Sequence, residues 1–304
     1  MEPFKVHVLG CGCALPTLKH NASAQIVEVR GKLFMVDCGE GTQTQLRRSH
    51  IRFTGVNTIF ISHLHGDHCF GLIGMISTFG LLGRTAPLHI YAPKELKPML
   101  DAQMELFCTG LEYEVIFHEV DTTVCKVIYE DRSLTVKSIP LIHRKPCSGF
   151  LFEEKPTLPH IRREMIDAYG IPLSQINNIK NGADWVTDDG DVVPNARLVK
   201  PAEPARSYAY CSDTKYMPEL HKMISSVSVL YHESTYCSDA KDKAALYNHS
   251  TAEEAAMVAK AAGAKKLVLG HFSARYEDEN RFLEEAKSVF ENTVLASEMN
   301  VIEV

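Results

Sequence analysis

The chain predicts an α/β fold in which β-sheets are sandwiched between helices. Three observations predict it. Short apolar, β-branched runs alternate with segments of helical spacing along most of its 304 residues. The alternation falls into two halves, each with a strand-rich core. Hydrophobic residues make up 45% and charged residues 23%, which suits a packed globular interior rather than a disordered chain.

The elements follow in order. KVHVLG (5–10) reads as a first strand, and the Gly-containing loop CGCALPT follows it. AQIVEVR (24–30) and KLFMVDCG (32–39) read as a hairpin turning at Gly31. NTIFISH (57–63) is a strand, and the apolar run CFGLIGMISTFGLLG after it is a buried helix. LHIYAP (88–93) is a strand. Residues 94–109 place Leu96, Met99, Leu100, Met104 and Phe107 near helical spacing. EVIFHEV, CKVIYED, LTVKSIPLIH and CSGFLFEE make 114–154 strand-rich. RSYAYCSD and SVLYHES are later strands. STAEEAAMVAKAAG is a helix that Ser250 and Glu253 can cap and Gly263 can close. KLVLGHF (266–272) is a strand, and 277–291 a last amphipathic helix. Residues 155–200 break the pattern, with little periodicity and a concentration of proline. The expectation is one domain over 1–304 with an inserted, protruding arm at 155–200, because long irregular insertions are usually functional or disordered.

Bulk properties narrow the function. No run approaches the ~20 apolar residues of a membrane span. MEPFKVHVLG lacks the zones of a signal peptide, so a cytoplasmic protein is expected. The nine cysteines then read as reduced thiols, mostly small buried hydrophobes. No C-x-x-C pair is present, which argues against a cysteine-based structural zinc site. A net charge of −6 runs mildly against a nucleic-acid partner, though local patches and bound ions outweigh the sum. Gly10 and Gly12 echo a dinucleotide loop, but no long helix follows them. Trp185, in the insertion, reads as buried or at an interface.

The strongest signal is His63-Leu64-His65-Gly66-Asp67-His68, directly after a strand. Three imidazoles and a carboxylate packed this tightly would repel as cations and be costly to bury. A metal removes both problems. Imidazole and carboxylate donors fit zinc best, with manganese and iron as alternatives. The spacing suggests two ions, His63 and His65 pointing one way and Asp67 and His68 another.

HxHxDH after a strand resembles the metallo-β-lactamase superfamily, whose fold is an αββα sandwich. IPLIHR, YCSDT and VLGHFSARY supply its remaining ligand positions in order, each after a predicted strand. The resemblance implies that His63, His65 and His143 hold one zinc ion and that Asp67, His68 and His271 hold a second. Asp213 would bridge them. Nearly the whole chain is similar to the ribonuclease Z family of tRNA 3′-processing endoribonucleases. LGCGCALPT, VDCGEGTQTQLRR, ISHLHGDHCFGLIG, YHESTY with NHST, and GHFSARY carry that likeness. Three details depart from it. HEST stands for HEAT, LKHN lacks the usual arginine before asparagine, and the insertion lacks a Gly-Pro-rich pattern.

This resemblance implies removal of the 3′ trailer from precursor tRNA, a homodimer and two zinc ions per chain. Asp67 would take the proton of the attacking water. His249, supported by Glu233, would protonate the leaving oxygen. Ser273 and Arg275 could hold a substrate phosphate. The alternatives are another binuclear-zinc hydrolase, such as a small phosphodiesterase or thioesterase, and a non-catalytic RNA-binding subunit. The insertion and the HEST–His249 pair stand against the first, and the complete ligand set against the second.

Overall fold

Alternating side chains decide the architecture, because successive residues of a strand face opposite ways. In the strand Lys32–Cys38, Phe34 and Val36 join one buried cluster while Met35 joins another. Phe60 and Tyr91 repeat the first choice, and Ile59 and Ile90 the second. A sheet with two apolar faces must be covered on both.

A computed structural model describes residues 2–304. The chain separates into two compact units. The larger joins the segment ending at Glu153 to the one beginning at Arg206, and the smaller is Glu154–Ala205. The larger unit contains two seven-stranded sheets. The first runs, edge to edge, Val301–Glu303, Phe4–Gly10, Ala24–Val29, Lys32–Cys38, Val56–Phe60, Leu88–Ala92 and Val115–Glu119. It is antiparallel as far as Lys32–Cys38 and parallel beyond. The second runs Thr293–Leu295, Lys266–Gly270, Val229–Glu233, Ser207–Cys211, Cys147–Glu154, Leu134–Leu141 and Val127–Glu130.

Phe34, Phe60, Phe150, Phe152 and Tyr208 from both sheets share one core. On the other face of the first sheet, Leu46, Met75, Ile76, Phe79, Leu96 and Leu100 come from the helices Thr42–Arg48, Leu72–Leu81 and Leu96–Phe107. The helix Ala252–Ala262 buries Ala252, Ala255, Ala256, Val258, Ala259 and Ala262 and packs against the strands Val229–Glu233 and Lys266–Gly270 of the second sheet. The order helix, sheet, sheet, helix is the expected sandwich.

Three expectations are corrected. Thr251 rather than Ser250 caps Ala252–Ala262, in a capping box with Glu254 rather than Glu253. Ser250 lies one residue before the cap, and its hydroxyl donates instead to the Thr214 carbonyl. The apolar run after His68 splits into Gly66–Cys69 and Leu72–Leu81. Gly71 lies between them, and a Cβ there would sit 2.1 Å from the Gly39 carbonyl oxygen, so only glycine permits the approach.

The third correction concerns the insertion, which is not irregular. Within it, His160–Ile161 pairs with Val199–Lys200 and Trp185–Val186 with Val192–Val193. Short helices span Arg163–Ala168, Ile176–Lys180 and Asn195–Leu198. Ile171, Ile179, Val193, Leu198 and Val199 form its own small core, with Trp185 packed against it. Elements of two to six residues are too short to leave a visible period.

Candidate metal centre

Strand ends and the loops after them bring the predicted ligands together. His63, His65, Asp67 and His68 follow Val56–Phe60, His143 follows Leu134–Leu141, Asp213 follows Ser207–Cys211, and His271 follows Lys266–Gly270. Two groups result. His63, His65, His143 and Asp213 offer ligand atoms within 4.8 Å of one another, and so do Asp67, His68 and His271. His63 Nε2 lies 3.0 Å, and His143 Nε2 3.2 Å, from His65 Nδ1. Asp213 Oδ2 stands 3.5 Å from His63 and 3.7 Å from His143. Its Oδ1 stands 3.4 Å from His68 and 3.2 Å from His271. Asp67 Oδ2 approaches the same two rings at 3.4 and 3.5 Å.

The rings are held from behind. Nδ1–H of His63 donates to Ser62 Oγ at 3.0 Å, that of His68 to Asp37 Oδ2 at 2.7 Å, that of His143 to the Asn248 carbonyl at 2.9 Å, and that of His271 to Thr235 Oγ1 at 2.9 Å. Each therefore presents an Nε2 lone pair inward, as a ligating imidazole does. His65 alone turns Nδ1 inward. The Nε2 atoms of His68 and His271 are buried with no hydrogen-bond partner. Orphaned buried nitrogens aimed at carboxylates fit a divalent cation between them.

Burial keeps His63, His65 and His143 below the ordinary imidazole range, in the neutral form that ligates. For His68 and His271 burial works against charge, but Asp213 above all raises both. Asp67 and Asp213 are lowered despite burial by the histidines around them.

The backbone is strained at this site. Asp37 and His271 both hold left-handed conformations, at φ 58° and 61°. Asp37 was not singled out by the sequence reading. It also accepts from Tyr210 Oη and from the Ser62 N–H and hydroxyl, so it anchors the base of the site. Its sequence signal is the VDCGEG segment that ends the strand Lys32–Cys38.

The centre opens into a cavity of about 710 Å³. His249 and Arg275 line it. Glu233 lies behind, fully buried, and accepts from His249 Nδ1–H at 2.9 Å. Burial opposes charge on His249, but Glu233 raises its pKa above the ordinary value. Ser273 is not brought to this cavity. It lines a smaller neighbouring one, and its hydroxyl accepts the Arg275 N–H. Sequence reasoning also missed Arg144, whose guanidinium lies 4.6 Å over the Tyr247 ring in the cavity wall.

Two histidine–aspartate groups joined by one aspartate, at loop ends on a two-sheet sandwich, define a metal-dependent hydrolase of the metallo-β-lactamase fold. Comparison with known proteins agrees. The metallo-β-lactamase fold protein YhfI of Bacillus subtilis superposes with a TM-score of 0.70 at 18% identity, with all of each chain covered, which shows the fold. Human tRNase Z, short form, also gives a TM-score of 0.70, at 28% identity over 99% of each chain. The Ribonuclease Z of Bacteroides fragilis (strain ATCC 25285) is 56% identical over 298 residues, 98% of each chain. Residues 4–158 match the family model described as Anti-Pycsar protein Apyc1, a stretch that ends before Asp213, His249 and His271. The chain belongs to the ribonuclease Z family, the endoribonucleases that process the 3′ ends of tRNA, and its first half also to the Apyc1 sequence family. Among the described residues no helix is long and apolar enough to cross a membrane.

Proposed function

We propose that the chain binds two zinc ions and removes the 3′ trailer of precursor tRNA, leaving a 3′-hydroxyl on the tRNA and a 5′-phosphate on the trailer. The observation that carries this reading is Asp213, whose two oxygens divide between the two histidine groups. That division supports His63, His65 and His143 on one ion, Asp67, His68 and His271 on the other, and Asp213 on both. Nitrogen and oxygen donors without thiolate suit zinc and leave positions for water. Such a pair, when bound, lowers the pKa of water and neutralises charge on the phosphate.

The chain's own residues do the rest. Asp67 takes the proton of the attacking water, and the Ala14 N–H at 2.8 Å steadies its carboxylate. His249 turns Nδ1–H to Glu233 and so offers Nε2 to the departing 3′ oxygen, which would otherwise leave as a strongly basic alkoxide. Arg275 in the cavity wall pairs with a flanking phosphate. The inserted unit Glu154–Ala205 grips tRNA through His160, Arg162, Arg163 and Lys180. A homodimer, as the family resemblance implies, acting in the cytoplasm completes the reading. Stripping metal with a chelator and restoring zinc tests it. Cleavage of precursor tRNA should vanish and return, and cleavage that persists in the stripped protein contradicts it.

A further inference from the structure

Away from the catalytic cavity, three metal-ligating side chains from distant segments meet. Cys11 follows the strand Phe4–Gly10, His20 lies in the loop before Ala24–Val29, and Glu298 in the loop before Val301–Glu303. Cys11 Sγ stands 3.4 Å from His20 Nδ1, which stands 3.0 Å from Glu298 Oε2. The Ala296 carbonyl is 3.7 Å from the same sulfur. Cys11 is fully buried and His20 is 8% exposed.

These separations suit neighbouring ligands of one tetrahedral ion, about 3.0–3.7 Å apart when metal–ligand bonds are about 2.0–2.3 Å. They match the 3.0 and 3.2 Å between His63, His65 and His143. The far side of the ring fits too. His20 Nε2–H donates to Glu279 at 2.6 Å, as a carboxylate behind a ligating imidazole does, and Lys19 neutralises that carboxylate at 2.6 Å.

We propose that Cys11, His20 and Glu298, with the Ala296 carbonyl as fourth donor, form a structural site for a zinc-class divalent ion, separate from the catalytic pair. One thiolate and one carboxylate balance the charge of the ion. Uptake displaces the thiol proton of Cys11 and the Nδ1 proton of His20. An ion here would pin the loop that carries Ala14, whose N–H steadies Asp67. The same loop pairs with the residue after His271, Cys13 N–H donating to the Phe272 carbonyl and Phe272 N–H to Cys11. The competing state is a metal-free ion triad, His20 as a cation between Glu279 and Glu298.

Cobalt is the probe. The stripped full-length protein is loaded with Co(II), then measured for cobalt per chain and for near-ultraviolet thiolate-to-cobalt charge-transfer absorption. The parent should show that band and one ion more than the catalytic pair. Cys11→Ser and Glu298→Gln should each lose one ion per chain, and Cys11→Ser should lose the band. Cys13→Ser, at the rim of the catalytic cavity, should keep both. A parent without the band overturns the proposal even if the variants fail to fold. A band that survives Cys11→Ser and vanishes in Cys13→Ser also overturns it. Were the catalytic pair misassigned instead, the ion count would fall while the Cys11-dependent band remained.

Discussion

Nδ1–H of His249 donates across 2.9 Å to Oε1 of Glu233, a carboxylate with no exposed surface. Glu233 also accepts from the backbone of Thr214, Thr235 and Ser250 and from the Thr235 hydroxyl. His249 above all, by its charge and its hydrogen bond, holds Glu233 below its ordinary pKa despite burial, and the other donors fix its orientation. The fixed anion in turn fixes the imidazole, so that His249 rather than Glu233 lines the cavity.

His249→Ala should therefore keep its metal and its tRNA affinity while kcat falls by about 10²–10⁴-fold, the usual contribution of a general acid. Glu233→Gln should lower kcat by less, since the ring stays in place but loses its charged partner. Single-turnover cleavage beside a tRNA-binding titration separates the two steps. Cleavage at the parent rate by His249→Ala would remove it from the mechanism.

Asp213→Ala should disturb both ions, because each of its oxygens serves a different group. Elemental analysis of the purified variant reads this directly, and full retention of two ions would end the bridging assignment. Asp37→Asn should keep the fold and weaken metal affinity by about 10–100-fold, as loss of a carboxylate behind a ligating histidine does. Competition with a chromophoric chelator measures it.

The residues that the fold gathers into the two candidate metal groups were legible because each is a strong donor at a strand end, and HxHxDH compresses four of them into six residues. Their holders were not. Asp37, Thr235 and the Asn248 carbonyl are ordinary residues that only the three-dimensional path brings behind the rings. Long periodic strands and helices were legible for the same reason that HxHxDH was, a dense local signal. The helices Thr42–Arg48 and Lys241–Tyr247 escaped notice because seven residues span only two turns. Ser273 lines a different cavity from its neighbour His271, because adjacency in sequence says nothing about which cavity a residue lines.

Asp131 offers a test of the fold through pH. At the turn between Val127–Glu130 and Leu134–Leu141, it accepts from Lys32 of the other sheet, from the Ser133 N–H and hydroxyl, and from Tyr129 Oη. Burial opposes its charge, but these donors, Lys32 first, hold its pKa well below the ordinary value. The folded pKa is the lower one, so the stabilisation is complete above the unfolded value of about 3.9 and is lost as pH falls through the folded value. The Tm of Asp131→Asn should lie below the parent's at pH 7, and the gap should narrow below about pH 4. A gap that widens on acidification would reverse the sign.

The inserted unit should matter for tRNA and not for chemistry. Its small core includes Val193, Leu198 and Val199, so a clean replacement must remove it whole. Exchanging residues 156–203 for a short Gly-Ser linker should lower kcat/KM for precursor tRNA steeply and spare hydrolysis of a small phosphodiester. The tRNA term should also weaken with salt in the parent, since each neutralised phosphate releases counterion. An unchanged ratio of the two specificity constants would exclude the unit as a tRNA grip.

The most direct test of the whole account is the chemistry of the ends. Precursor tRNA labelled at its 5′ end and in its trailer, incubated with the zinc-loaded protein, should yield one tRNA fragment ending in a 3′-hydroxyl and one trailer beginning with a 5′-phosphate. Asp67→Ala should yield neither. A cyclic or terminal phosphate on the tRNA fragment, or cleavage that survives removal of metal, would contradict a metal-activated water attacking phosphorus with the 3′ oxygen leaving.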